Sequence, residues 1–148
     1  MTMTDKTARA QTESLSLEFD LNHAPEKVWR ALTVPELLSE WLLPVIDLEL
    51  EPGSNFIFKT QSMPGWDGTV KCQILEIEEH RRLSYAWAVG DMEIETVVTF
   101  EITPTASGTR LSLVQSGFKP SQKQAFGGAR YGWNMMGGKL AELLERLP

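Results

Sequence analysis

The sequence has few residues of the kinds that build disulfides, metal sites and membrane spans. Its 148 residues include one cysteine, Cys72, and two histidines, His23 and His80. A single cysteine cannot form an internal disulfide and is typical of a reducing compartment, so we expect a cytoplasmic protein. No segment approaches the ~20 apolar residues of a membrane span, and the polar opening residues resemble no signal peptide.

The chain has fewer basic than acidic residues. The chain has 14 lysines and arginines against 20 acidic residues, a formal net charge of −6, and no basic cluster. Nucleic-acid binding depends on contacts with phosphate, and anionic membranes attract basic segments. The charge therefore argues against both partners, and we predict neither nucleic-acid binding nor a membrane span.

Residue patterns that would carry catalysis are also missing. His23 precedes the first predicted helix, His80 lies in a polar turn, and with Cys72 they match no zinc-site spacing. The sequence contains no nucleophile elbow, phosphate loop, zinc-protease or dinucleotide-binding motif. We predict no metal, no cofactor and no catalytic residue. Cys72 shares a strand face with apolar neighbours, which favours a small buried side chain.

Three acidic residues alternate in one short stretch. Asp91, Glu93 and Glu95 share one face of a predicted strand, and Met92 and Ile94 share the other. Neighbouring carboxylates can act as an acid–base pair when burial separates their pKa values. A solvated face is the commoner reason for such a pattern. We therefore expect the carboxylates to face water, with Met92 and Ile94 facing a pocket in the interior.

The order of predicted elements is β-α-α-β6-α, which indicates an α+β protein. Residues 1–13 are expected to be a disordered leader and residues 14–148 a single domain. Strict alternation from Leu15 to Leu21 predicts a strand with one buried face. Two short helices follow. The first begins at Pro25, and the second begins with a capping box at Thr33 and Glu36 and ends near Trp41.

A meander of antiparallel strands and one long helix complete the predicted order. The strands span residues 47–115, and a shift of apolar phase near Ile74–Leu75 predicts a β-bulge. Ser121 and Gln124 form a second predicted capping box before the last helix. Apolar residues at helical spacing give that helix one buried face.

Several motifs in this order resemble a known family. They are Ala24-Pro25, Val28-Trp29, the Thr33-to-Glu36 segment, Trp41 and Gly132-Trp133, together with the strand segments DGTVKCQILEIEEHRRLSYAW and TVVTFEITPTASGTRLSL. The set is similar to the heat-shock-protein ATPase activator homologues of the START-like (SRPBCC, birch-pollen-allergen-like) superfamily. It covers roughly residues 14–147. The resemblance is to the C-terminal domain of the eukaryotic co-chaperone, so we expect no counterpart of the separate domain that engages the chaperone.

The resemblance implies a helix-grip fold. A curved antiparallel sheet wraps around the long C-terminal helix, two short helices close one end, and a cavity commonly lies between sheet and helix. Members bind lipids, polyketides or other hydrophobic molecules. The family's distribution favours a bacterial origin, with the protein a monomer or homodimer.

The last helix carries an unusual number of glycines. GGARYGWNMMGGKL holds five of them, including Gly127, Gly128 and Gly137, and each costs roughly 0.5–1 kcal/mol relative to alanine inside a helix. One hypothesis is a mobile lid over a hydrophobic pocket, with Gly137 leaving space for a ligand. The alternative is close packing against the sheet. The sequence leaves both open.

Aromatic and thioether residues from separate elements form the candidate ligand site. Such side chains suit a planar apolar ligand, although any of them can instead be plain core. The candidate ligand-binding residues are Trp41, Phe56, Phe58, Trp66, Tyr85, Trp87, Met92, Trp133, Met136 and Gly137. A polar group that orients the ligand could come from Asp67, Tyr85, Gln115, Tyr131 or Asn134.

Three functions remain as alternatives. The first is a non-enzymatic carrier or sensor of a small hydrophobic molecule. The second is a protein-interaction role with a chaperone, as in the heat-shock-protein ATPase activators. The third is a polyketide cyclase or dehydratase, or a self-sacrificing resistance protein. Whether the protein is an enzyme is therefore open, and a non-enzymatic role is preferred.

Overall fold

The computed structural model describes residues 2–7, 14–62, 64, 66–90 and 93–148. Three helices are present in these residues: α1 (Pro25–Thr33), α2 (Pro35–Trp41) and α3 (Lys123–Arg146). The strands are β1 (Thr2–Asp5), β2 (Ser14–Leu21), β3 (Val45–Ile46), β4 (Asn55–Lys59), β5 (Thr69–Glu78), β6 (Arg82–Val89), β7 (Ile94–Thr105) and β8 (Gly108–Ser116). The predicted α+β class is confirmed, and six strands lie between α2 and α3. The first of them, β3, lies just before the predicted start at Asp47, and residues 47–54 form no strand.

All eight strands form one antiparallel sheet in the order β1-β2-β8-β7-β6-β5-β4-β3. The sheet is open and curved, and the long helix α3 packs against its inner face, which is the predicted helix-grip arrangement. Alternating side chains explain the burial. Leu15, Leu17, Phe19 and Leu21 of β2 are buried, and the residues between them are partly exposed.

The irregularity in β5 falls where the sequence predicts it. The pairing of β5 with β6 shifts between Ile74 and Glu76, so Leu75 is the extra residue. Ile74 is buried and Leu75 is 41% exposed. A β-bulge inserts one residue into one strand and increases the local twist. The bulge therefore lets β5 keep its apolar residues on the inner face as the sheet curves.

Helices α1 and α2 begin at Pro25 and Pro35, where proline's fixed φ suits a first helical turn. Both predicted capping boxes are wrong. The Thr33 hydroxyl donates to the Trp29 carbonyl oxygen at 2.8 Å, because α1 continues through Thr33 and the N-cap of α2 is Val34. The N-cap of α3 is Gln122, and no side chain caps that helix end.

Part of the predicted disordered leader is a strand. Residues Thr2–Asp5 form β1 and pair antiparallel with β2 at the sheet edge. The Asp5 carboxylate also forms an ion pair with Arg130 of α3. The other leader residues described, Lys6 and Thr7, bond to Ser16, and residues 8–13 lie outside the described residues. Edge pairing supplies backbone hydrogen bonds that need no apolar side chain, which is why hydropathy missed this strand.

Candidate functional site

Seven aromatic rings meet between the inner face of the sheet and α3. We call this set the aromatic cluster: Trp41, Phe56, Phe58, Tyr85, Trp87, Phe100 and Trp133. Neighbouring ring centroids lie between 5.2 Å, for Phe56 and Tyr85, and 6.4 Å, for Trp41 and Phe100. Most pairs are edge-to-face or tilted, the arrangements that aromatic rings prefer. Six of the ten residues predicted for the site therefore lie in one connected set.

The strands position the cluster by alternation. Phe56 and Phe58 point inward from β4, and Tyr85 and Trp87 point inward from β6, two residues apart in each case. Cys72 of β5 lies between them, paired with Phe56 on one side and Trp87 on the other. From the opposite side, the Trp133 ring of α3 contacts Trp87 at 5.5 Å and Phe100 at 6.0 Å.

A buried chain of hydrogen bonds joins α3 to the sheet beside the cluster. The Trp133 indole N–H donates to the Gln115 side-chain oxygen at 2.8 Å. The Gln115 amide nitrogen donates to the Thr96 hydroxyl at 2.9 Å, and that hydroxyl donates to the Trp87 carbonyl oxygen at 3.0 Å. Buried polar groups need such partners, and these three side chains provide them for one another. The chain fixes the rotamer of Trp133 and so the position of its ring.

Tyr85 lies at the centre of the cluster. Unlike the polar groups of Trp133, Gln115 and Thr96, its hydroxyl has no hydrogen-bond partner among the described residues. Its ring contacts Phe56, Phe58 and Phe100, and the residue is 2% exposed. Within the described part of the chain, its hydroxyl forms no hydrogen bond. Burial, with a smaller contribution from the nearby Cys72 thiol, raises the pKa of Tyr85 well above its ordinary value. The phenol therefore stays protonated.

One end of the cluster is less completely covered than the rest. Trp87 is half-buried, as are Trp66 and Met136, which pack against the core. Trp66 comes from the β4–β5 connection, and its indole N–H donates to the Thr69 carbonyl oxygen at 3.0 Å. The β4–β5, β6–β7 and β8–α3 connections all lie at this end, because the paired strands are antiparallel. The predicted site residue Met92 lies outside the described residues.

The glycines of α3 occupy two different surroundings. A Cβ at Gly137 would overlap the ring of Phe19 from β2, whereas Cβ atoms at Gly127, Gly128 and Gly138 would meet open space. The space at Gly137 is thus filled by a side chain of the protein itself. At Gly137, α3 therefore packs closely against β2. Close packing is one of the two explanations that the sequence left open for this glycine, and a ligand contact is the other. The exposed glycines have no packing explanation of this kind.

The other candidate orienting groups face outward or already have partners. Tyr131 is 71% exposed. The Asn134 side-chain amide donates to the Arg130 carbonyl oxygen at 2.7 Å. Asp67 is exposed and accepts a hydrogen bond from the Thr69 backbone N–H at 2.9 Å. The Gln115 side chain already forms hydrogen bonds with Trp133 and Thr96. Of the five groups named from the sequence, only Tyr85 combines burial with an unpaired polar atom.

Among the residues that the structure describes, the histidines, the cysteine and the acids form no reactive group. His23 lies beside Lys27 and Glu145 and borders a crevice of about 170 Å³ at the C-terminal end of α3, and the ring of His80 contacts Trp29. Burial raises the pKa of the Cys72 thiol well above its ordinary range. Glu93 and Glu95 are exposed, as expected, and Ile94 is buried, while Asp91 lies outside the described residues.

Three contributors to the site were not among the residues predicted for it. Phe100 is the seventh ring of the aromatic cluster, Thr96 links Gln115 to the backbone of β6, and Phe19 fills the space above Gly137. The signal for Thr96 was available, because it alternates in phase with Val98 and Phe100 and so had to face inward. Nothing local pointed to the contact of Phe19, which comes from a strand more than 100 residues earlier in the chain.

Among the described residues, no three histidine, cysteine or acidic side chains are grouped closely enough to hold a metal ion. The helices in the same part of the chain are also not long and apolar enough to cross a membrane.

Comparison with known proteins identifies the family. Over residues 22–145, the sequence matches the family described as Activator of Hsp90 ATPase homolog 1-like protein. The chain belongs to this family. The resemblance seen in the sequence motifs is confirmed, including the START-like superfamily. No curated protein sequence matches the chain significantly.

Several solved protein structures have the same fold. The chain is 39% identical to protein MLL2253 from Mesorhizobium loti, with a TM-score of 0.84 over 91% of this chain and 98% of that one. It is 28% identical to protein NE0264 from Nitrosomonas europaea, with a TM-score of 0.76 over 91% and 96% of the two chains. DynU16, a protein in the dynemicin biosynthetic locus, shares the fold at 20% identity and a TM-score of 0.75, over 90% of this chain and 48% of its own.

Proposed function

We propose that this protein is a non-enzymatic carrier or sensor that binds a small hydrophobic molecule between the sheet and α3. The observation that carries the proposal is the aromatic cluster, whose outer end at Trp87 is only partly covered. Ligand sites are mostly apolar and aromatic, with few polar groups, and the surroundings of Tyr85 fit that description. We expect the protein to act in the cytoplasm.

Binding at this end would derive its energy from apolar burial. Each Å² of apolar surface removed from water contributes about 25 cal/mol, and stacking against aromatic rings adds specificity. Trp66, Trp87 and Met136 would border the entrance, with Phe58 and Tyr85 deeper inside. Gly137 is left out of the proposed site, because Phe19 occupies its surroundings.

The tryptophans allow a direct test. The chain has five, so the indole N–H signals in a two-dimensional ¹⁵N NMR spectrum are few enough to follow individually. We would titrate palmitate, the flavonoid naringenin and the anthraquinone emodin. Saturable shifts of the Trp87 and Trp133 signals are expected. The signal of Trp29 should stay unchanged as an internal control, because that ring packs against His80 and not against the cluster.

If no probe moves the Trp87 and Trp133 signals, or if all five tryptophans move equally, the proposed site is wrong. Chemical conversion of a bound probe during the titration would instead favour the cyclase or dehydratase alternative.

A second candidate function is interaction with a chaperone, which the family description suggests. One observation favours it. On the outer face of α3, Tyr131 is 71% and Met135 is 51% exposed. The surrounding segment, residues 119–139, contains four basic residues and no acidic one, in a chain of net charge −6. An exposed apolar pair within a basic segment fits an acidic protein surface.

The chaperone candidate has its own assay. Stimulation of the ATPase activity of the ninety-kilodalton heat-shock protein is expected with the wild-type chain. It should be reduced when both Tyr131→Ser and Met135→Ser are introduced. Absence of stimulation by the wild type would rule the candidate out and leave the ligand proposal unaffected.

A further inference from the structure

The Tyr85 hydroxyl borders a space that a water molecule can enter. Every fully enclosed side-chain nitrogen and oxygen of the described residues has a hydrogen-bond partner. The Tyr85 hydroxyl has none in the same part of the chain, so it cannot be fully enclosed. A polar group inside a protein is unfavourable without a hydrogen-bond partner, so this hydroxyl is expected to take one from the space that it borders.

The neighbouring polar groups are not available as that partner. Trp133, Gln115 and Thr96 are bonded to one another and to the Trp87 carbonyl oxygen. The rings that surround Tyr85 belong to phenylalanines, which offer no strong donor or acceptor, and the nearby Cys72 thiol is only a weak one. A partner for the hydroxyl must therefore come from water or from a bound molecule.

The surroundings of Tyr85 also limit the charge of such a molecule. The buried polar side chains in the described residues are three threonines, a serine and a glutamine, and all are neutral. The phenol of Tyr85 and the thiol of Cys72 stay protonated because burial disfavours their anions. An ionised carboxylate brought here would lose its hydration without meeting a cation, and that loss is large.

We infer that, within the binding site proposed above, the Tyr85 hydroxyl donates a hydrogen bond to a neutral carbonyl oxygen at the buried end of an aromatic ligand. The ligand class is therefore an aromatic ketone, quinone or lactone. A phenolic O–H is a good donor, and the rings around it suit a planar molecule. Tyr85 then acts as a specificity-determining residue, since a hydrocarbon fills the same space without satisfying the hydroxyl.

The test uses probes that differ only in the polar group. 2-Acetylnaphthalene, 2-ethylnaphthalene and 2-naphthoate share one ring system and carry a ketone, an alkyl group and a carboxylate. The corresponding benzene and anthracene compounds cover smaller and larger sites. Dissociation constants are measured by NMR titration of the tryptophan indole signals. The variant Tyr85→Phe removes only the hydroxyl, and Tyr131→Phe makes the same change at an exposed tyrosine.

The wild type is expected to bind the ketone about three- to tenfold more tightly than the alkyl probe, and the carboxylate most weakly. Tyr85→Phe should remove the preference for the ketone and leave the affinity for the alkyl probe unchanged. Tyr131→Phe should behave as the wild type does.

Two results would overturn the inference in distinguishable ways. Equal binding of the ketone and the alkyl probe by the wild type would refute the role of Tyr85 while the proposed binding function stands. A preference for the ketone that is retained in Tyr85→Phe would likewise refute the role of Tyr85 and leave the proposed binding function intact. Failure of every probe of all three sizes to bind would refute the proposed function and this inference with it. The wild-type preference alone decides the matter if Tyr85→Phe does not fold.

Discussion

The two halves of α3 bury their inner faces by different means. In the C-terminal half, Leu140, Leu143 and Leu144 are each at most 2% exposed and carry no polar atom. In the N-terminal half, the large buried side chains are Phe126 and Trp133, and Trp133 brings a polar N–H that requires Gln115 as its partner. The aliphatic half needs only apolar contact. The aromatic half depends on specific neighbours, and the candidate site lies at this half.

The largest effect is expected in the aliphatic half. Leu144→Ala should lower the free energy of unfolding by about 2–5 kcal/mol, because Leu144 is fully buried and the cavity left behind cannot collapse completely. Met135→Ala, at an exposed position of the same helix, is the control and should change it by less than about 0.5 kcal/mol. Urea unfolding followed by circular dichroism measures both. Equal losses would show that the C-terminal half does not anchor the helix.

A smaller loss is expected when the polar contact of the aromatic half is broken. Trp133→Phe should cost about 1–3 kcal/mol beyond the lost ring volume, because the Gln115 side-chain oxygen then has no donor. Adding Gln115→Met should recover part of that loss, since both polar partners are then gone. Strictly additive effects in the double-mutant cycle would contradict the predicted coupling.

Alanine substitutions at Gly137 and Gly138 compare a closely packed position of α3 with one that meets open space. Gly137→Ala should destabilise the protein by about 1–3 kcal/mol, because the new methyl group meets the ring of Phe19. Gly138→Ala is the matched control and should be neutral or stabilising, since its methyl group meets open space. Thermal unfolding compares the two. Phe19→Leu should partly rescue Gly137→Ala if the overlap is the cause.

The exposed glycines should respond in the opposite direction. Gly127→Ala and Gly128→Ala are each expected to stabilise the protein by roughly 0.5–1 kcal/mol, because alanine restricts the unfolded chain and meets no neighbour here. Amide hydrogen exchange tests the lid hypothesis at the same time. A lid requires faster exchange over residues 127–138 than over 140–146, and slower exchange there in the variants. Equal protection of both halves in the wild type would end the hypothesis.

The smallest effect concerns the ion pair that ties the aromatic half to the sheet edge. Burial alone would raise the pKa of Asp5, but hydrogen bonds from Arg130 and Thr7 outweigh it and lower that pKa below its ordinary value. The pair therefore stabilises the protein above the ordinary carboxylate pKa, and this contribution is lost as the pH falls through the folded-state value.

A carbon-detected NMR titration of the Asp5 carboxylate measures this pKa. Arg130→Gln is expected to raise it, and Arg110→Gln, which removes an arginine paired with Glu18 and Asp20 instead, serves as the control. An unchanged Asp5 pKa in Arg130→Gln would mean that the pair does not persist in solution.

The strands were predicted from the sequence more successfully than the helix ends. The buried faces of β2 and β7 followed from alternation, and the bulge at Leu75 followed from a shift of phase, because both signals lie within one strand. Both capping boxes failed. Thr33 had a capping sequence, but its hydroxyl bonds within α1, a choice decided by where that helix ends.

The sequence indicated which residues belong to the candidate site but not how their side chains are arranged. Inward alternation selected Phe56, Phe58, Tyr85 and Trp87, and the helical stripe selected Trp133. Their ring contacts join strands and a helix far apart in the chain, and no local pattern reports such distances. The exclusion of Gly137 from the ligand site likewise depends on Phe19, which only folding brings to it.

By itself, the sequence determined the order of the elements after residue 14, the inner face of each main strand, the buried stripe of α3 and the family. These properties depend on spacing along the chain, which alternation and helical periodicity record directly. The tertiary structure alone decided that the first residues pair at the sheet edge, that Gln115 serves Trp133, and that the Tyr85 hydroxyl has no partner among the described residues. Hydrogen bonds and ring contacts depend on distances of a few ångströms between groups remote in sequence, and those distances exist only once the sheet has curved around the helix.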